Sequence, residues 1–213
     1  GRHAFQCRYT YRLFGSGDLL VHVQGEPRLQ PLDQNAAAPH RWPDKLPRIG
    51  LAMTLPAGME RVAWYGPGPG ESYDDSRQAA LVGLWRCSVD ELGTSYMKPQ
   101  ENGNRVDTRW VAFTDARGLG LLAIGQPLFN FSAHHATADD LFQAAHPADL
   151  IRRDTIDLHL DLRQRGLGSA SCGPPPLEKH EIRPDPFSFT LRFRPFSKDQ
   201  EFPMSLWREQ IQP

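Results

Sequence analysis

RVAWYGPGPGESYDDSRQAALVGLWRCSVDEL (residues 61–92), running on into YMKPQENGNRVDTRW (residues 96–110), is the stretch around which the chain is organised. It opens as an apolar strand over Val62, Ala63, Trp64 and Tyr65 and breaks at the alternating Gly/Pro run 66–70. Proline fixes φ and glycine reaches conformations other residues avoid, so a run this dense is a loop with a set path. An acidic, aromatic turn follows (Glu71, Tyr73, Asp74, Asp75), and Glu101-Asn102-Gly103 precedes the next strand. Two readings stay open: a sharp strand connection, or a rigid surface in which Trp64, Glu71, Tyr73, Glu101 and Asn102 meet a partner or a sugar.

Outward from this stretch the chain is a series of short alternating runs. Phe5, Cys7, Tyr9, Tyr11 and Leu13 share one parity, which predicts a strand with that face buried, or else a face that continues a domain cut away from this chain. A Gly15–Asp18 turn and residues 19–23 complete a hairpin. Residues 25–45 have no period and read as a long loop carrying Trp42, a packing anchor or a binding aromatic. Residues 46–55 alternate and turn at Pro56-Ala57-Gly58, which predicts a hairpin with residues 61–65. Residues 76–87 are the strongest helix candidate, with Ser76 as N-cap and Ala80, Leu81, Leu84 and Trp85 as an apolar stripe. Residues 107–114 and 119–124 predict another hairpin, and Phe129 and Phe131 a strand. Thr137 caps a short helix, with Asp140 at the capping-box position. Ile156, Leu158, Leu160 and Leu162 alternate, as do Phe187, Phe189, Leu191 and Phe193. Residues 1–196 read as one β domain and 197–213 as a fraying tail.

With 18 Gly and 19 Pro among 213 residues, the composition suits many short strands joined by tight turns. The fold class is therefore all-β: antiparallel sheets packed face to face, with one or two short helices. A formal charge of −1 with no basic patch argues against nucleic acid, and no apolar run is long enough for a membrane helix. The chain does not begin with Met and has no signal-like opening, so it reads as a fragment. Three cysteines without CxxC spacing argue against zinc and against a disulfide framework, and for a reducing, cytoplasmic compartment.

LPRIGL (46–51), ERVAWYGPGPGESYDD (60–75) and PQENGNR (99–105), followed by PLFNFSAHHATADDLFQAAHPADL (127–150) and DLHLDLRQRGLGSASCGPP (157–175), stand in one order. These five blocks resemble the C-terminal domain of glycoside hydrolase family 2 β-galactosidases, over roughly residues 46–193. The resemblance implies a galactose-mutarotase-like supersandwich. It implies that the two catalytic glutamates lie in a TIM barrel outside this chain. Its partners would be the remainder of the β-galactosidase polypeptide or a large subunit, in an oligomer acting on β-galactosides. No cofactor is expected in this chain, since family members use Mg2+ and Na+ mainly in the catalytic domain.

Candidate carboxylates for chemistry are Glu71, Asp74, Asp75, Glu101, Asp139 and Asp140, none in a catalytic motif. Adjacent His134 and His135 point to opposite sides of a strand, which disfavours a shared metal. Free-standing aldose 1-epimerases of the mutarotase-like fold pair a His with a Glu, which here would draw on His22, His134, His135, His159 or His180 with Glu71 or Glu101. In the resembled family the loop at 166–176 reaches into the barrel's active site, and several members place there a Trp that stacks on the leaving sugar. This chain has Cys172 or Gly173 at that place, or else simply an idle Cys in a turn. Three readings follow: a non-catalytic β-galactosidase domain, an autonomous epimerase, or a carbohydrate-binding or structural sandwich.

Overall fold

The computed structural model describes residues 3–29, 45–169, 173–209 and 211. Trp42 lies outside them. Nine strands form among these residues: β1 (His3–Leu13), β2 (Leu19–Leu29), β3 (Arg48–Pro56), β4 (Arg61–Gly68), β5 (Leu81–Ser88), β6 (Arg105–Thr114), β7 (Leu119–His134), β8 (Thr155–Gln164) and β9 (Phe187–Ser197). Two short helices accompany them, α1 (Ala138–Gln143) and α2 (Pro203–Arg208). Every pairing is antiparallel, in the order β1-β2-β9-β7-β6-β4-β5, with β8 also on β7 and β3 on β8.

The sixteen-residue β7 makes this branching possible. Its first half (119–126) pairs with β9, and its second half (130–134) pairs with β8. The sheet therefore folds over on itself. Leu55, Ile156, Leu158 and Leu160 from the β3/β8 leaf share one core with Val62, Trp64, Val111, Phe113 and Phe189 from the long leaf. The alternation of β8 buries Ile156, Leu158 and Leu160 completely, as their spacing required. A second cluster of Trp110, Ala112, Leu122, Ile124, Phe196 and Leu206 covers part of the outer face.

The hairpins at 14–18 and 115–118 form as their turn residues dictate. Thr137 caps α1, accepting from Asp140 N while Asp140 accepts from Thr137 N. Four expectations are corrected. Residues 76–87 are not a helix: one 3-10 turn (Arg77–Ala79) leads into β5, and Ser76 Oγ accepts Tyr73 N–H instead of capping. All eight residues of β5 pair with β4, and that ladder overrides a weak helical stripe. Residues 46–55 and 61–65 do not pair with each other; β3 joins β8, and β4 lies between β5 and β6. The odd face of β1 is not buried: Tyr9, Tyr11 and Leu13 are 46%, 63% and 78% exposed, because β1 sits at the sheet's edge and no layer among the described residues covers it. Residues 197–209 do not fray: Leu206 is buried, Trp207 meets Tyr65 edge-on at 5.6 Å, and Arg192 donates to Leu206 O at 2.7 Å.

Candidate functional site

The Gly/Pro run is pinned by two indoles. Trp64 Nε1 donates to Pro67 O at 3.0 Å and Trp85 Nε1 to Gly66 O at 3.1 Å. A Cβ on Gly68 would stand 2.7 Å from the Trp85 ring and 3.0 Å from Trp64. Only glycine lets the backbone come this close. Trp64 itself is fully buried, edge-on to Phe131, with the Arg105 guanidinium 5.3 Å from its ring centroid. Trp64 is thus a core residue and presents no face to a sugar.

The acidic turn is tied to the ENG segment. Glu71 accepts a very short hydrogen bond from the Tyr96 hydroxyl through one oxygen, and from Gly103 N at 2.7 Å through the other. The bond to Glu71 pushes the Tyr96 phenol up to about 12. Ser72 N donates to Asn104 O at 2.7 Å, and Asn104 Nδ2 returns to Ser72 O at 2.9 Å. Asn102 accepts from Thr94 N, donates to Gln100 O, and its carbonyl meets His134 Nε2 at 2.9 Å. Gly103 sits at φ +73, where a side chain would strike His134 and Leu92 O at 2.9 Å. Buried Tyr73 donates to Glu101 at 3.3 Å, and burial, then Glu101, drives its phenol far above the ordinary tyrosine range. Arg105 closes the unit by donating to Leu92 O, Gly103 O and Pro69 O.

Behind this unit lies a contact that the polar residues of β3 and β8 did not advertise. Arg48 pairs with Asp161 at 2.8 Å and with Glu101 at 3.5 Å. A Cβ on Gly50 would stand 2.2 Å from the Asp161 carboxylate, so the Arg and Gly of PRIG serve one buried acid. Burial raises Asp161 to about 6, against the pull of Arg48. The signal in the sequence was an Arg in an otherwise apolar strand, which needs an acid partner.

Asp74 and Asp75 face the segment after β8. Asp75 accepts Gly168 N–H at 2.6 Å, and Asp74 meets His180 Nδ1 at 2.6 Å. Between them opens a cleft of about 580 Å3 lined by Glu71, Tyr73, Tyr96, Gly168, Pro175 and His180, among others. Gly173 is exposed, whereas Cys172 lies outside the described residues. Trp64, Glu71, Tyr73, Glu101 and Asn102 therefore come together, but as one bonded scaffold.

The histidines diverge. His134 bonds Asn102 O, and His135 bonds Glu60 at 3.0 Å and the carbonyls of Arg153 and Thr155. Among the described residues no histidine ring bonds Glu71 or Glu101, and no group of three His, Cys, Asp or Glu is placed to hold a metal. Burial pushes the Cys87 thiol up to about 11, which disfavours the reactive thiolate.

What fold and site define is an all-β antiparallel domain whose polar residues are committed to holding its own loops. The chain belongs to the β-galactosidase small chain family, whose sequence pattern matches residues 2–193. A β-galactosidase of Arthrobacter sp. is 37% identical over 158 residues, 72% of this chain and 16% of that protein. One from Staphylococcus xylosus is 32% identical over 182 residues (83% and 18%), and one from Vibrio cholerae 35% over 167 residues (78% and 14%). The chain thus spans less than a fifth of the relatives it matches. No helix among the described residues is long and apolar enough to cross a membrane.

Proposed function

We propose that this chain is the non-catalytic small-chain domain of a β-galactosidase, acting on terminal β-D-galactosides only together with the rest of the polypeptide or a large subunit. One observation carries the reading. The segments that match the family are the ones whose carboxylates are spent on structure: Glu71 on Gly103 and Tyr96, Glu101 on Tyr73 and Arg48, Asp75 on Gly168. A retaining glycosidase needs two carboxyl groups about 5–5.5 Å apart, one ready to give a proton and one to attack. Glu71 and Glu101, each engaged on both oxygens, suit neither task. In this reading the sheet belongs to a galactose-mutarotase-like supersandwich, and the 166–176 loop stands at the aglycone side of the active site. Cys172 or Gly173, where relatives of the family place a Trp, then gives weaker stacking on a leaving sugar and a roomier acceptor site.

The test is hydrolysis of a chromogenic β-galactoside by the purified chain, alone and after addition of a large fragment carrying the barrel. Activity only in the mixture supports the reading; activity of the chain alone sinks it. In the assembled enzyme, Cys172→Trp is expected to tighten glucose as an acceptor, and unchanged acceptor affinity would end the loop assignment. Mutarotation of galactose by the isolated chain would favour the epimerase reading instead.

A further inference from the structure

The outer face of the sheet stays apolar beyond the reach of α2. Val82 and Leu84 of edge strand β5 are 53% and 51% exposed. Leu84 stands in register with Tyr65, and Tyr65 with Trp110, so all three lie in one row across the sheet. α2 covers the middle of this face with Leu206 and Trp207. Between β5 and the segment leading into α2 remains a groove of about 760 Å3, flanked by Leu84 and by Phe202, which is 76% exposed.

Its chemistry describes what belongs there. Trp110 at its floor is 2% exposed, and its indole Nε1 has no acceptor among the described residues. A buried donor without a partner costs about 1–3 kcal/mol and calls for an oxygen from elsewhere. Arg61, Arg86 and Lys198 also line the groove, and none has an ion pair among the described residues. Of the two acids there, Glu201 is bound by Arg194, leaving Asp199 against three cations. The site offers apolar walls, a surplus of positive charge and a spare N–H donor.

We propose that this groove receives an extended, acidic-apolar segment of the large chain of a β-galactosidase. Its apolar side chains lie against Leu84 and Phe202, its carboxylates against Arg86 and Lys198, and one of its oxygens faces Trp110. The proposal rests on the reading of this chain as a small-chain domain. A contiguous apolar face rimmed by charge is the signature of a protein contact surface.

The experiment titrates the 213-residue chain with the Arthrobacter sp. relative shortened by the segment this chain matches, and reads affinity by calorimetry. Wild type is expected to bind. Leu84→Asp and Phe202→Ser, both at exposed positions, are expected to weaken binding at least tenfold, and Arg86→Glu several-fold with a smaller salt dependence. Phe142→Ser, an exposed apolar change on α1, is expected to bind as wild type does. Wild-type affinity in both Leu84→Asp and Phe202→Ser overturns the groove while leaving the small-chain reading intact. No binding by wild type overturns the reading, and the groove with it. Equal loss in Phe142→Ser marks a non-specific contact, and a chain that self-associates until Leu84→Asp is introduced names a second copy as the occupant. Either result overturns the proposal.

Discussion

The carboxylate of Asp75 accepts the backbone N–H of Gly168 at 2.6 Å across ninety-three residues of sequence. It also fills the space a side chain at Gly166 would need, standing 2.8 Å from where that Cβ would be. One carboxylate thus fixes the near end of the segment after β8, while His180 on Asp74 fixes the far end. Asp75→Ala is expected to speed hydrogen exchange at the Gly168 amide at least tenfold while changing global stability by only about 1 kcal/mol. An unchanged Gly168 amide, read by NMR, would contradict this anchoring.

The glycines of the chain divide by what surrounds them. Gly68→Ala drives a methyl into Trp85 and Trp64 and is expected to cost roughly 1–3 kcal/mol in urea denaturation. Gly58→Ala, with nothing within 4 Å, is expected to be neutral or to stabilise by up to about 1 kcal/mol. Equal effects would mean that the two indoles move aside freely.

Asp161 sets a pH dependence of unusual sign. Its folded pKa, about 6, lies above the ordinary carboxylate value, so between about pH 4 and 6 the folded chain binds more protons than the unfolded. Stability attributable to this residue therefore falls as pH rises through that window, by roughly 3 kcal/mol in total. The difference in unfolding free energy between wild type and Asp161→Asn is expected to decline from pH 4 to pH 6 and stay level above. A flat difference would show that Arg48 compensates the burial fully.

Asp140 works in the opposite direction. Its bonds to Arg153, first, and to Thr137 hold its carboxyl far below the usual range. Its contribution is present above the ordinary carboxylate value and lost as pH falls through its depressed one. At neutral pH, Thr137→Ala is expected to cost about 1 kcal/mol by removing the cap of α1. Thermal unfolding with the change confined to residues 137–144 by hydrogen exchange would check it.

Much of this was legible from local pattern. β8 and β9 were readable because alternation over several residues fixes which face is buried, and α1 because Thr137 and Asp140 satisfy each other. β5 was not, since Leu81, Leu84 and Trp85 fit a helical stripe as well as a strand, and only pairing with β4 decides between them. β1 alternates faultlessly, yet alternation cannot say whether a second layer exists to cover the apolar parity. Glu71, Tyr73, Glu101 and Asn102, read from the sequence as a possible binding surface, lie in one hydrogen-bonded unit. Their role was hidden, because a carboxylate looks the same in sequence whether it faces a ligand or a backbone amide. The Arg48–Asp161 pair, 113 residues apart, left as its trace only Arg48 as the single charge of β3, while β8 carries Asp157, Asp161 and Arg163 and does not single out the partner.

β7 belongs to both leaves of the sheet, carrying β9 on one half and β8 on the other. A leaf that shares its central strand cannot come away intact, since its loss would strip the hydrogen bonds from half of that strand in the remaining leaf. Loops and the short helix α1 can still open by themselves, but neither leaf melts without the other, and a nick near Leu128 would be felt by the edge at β1 as well as by the edge at β3.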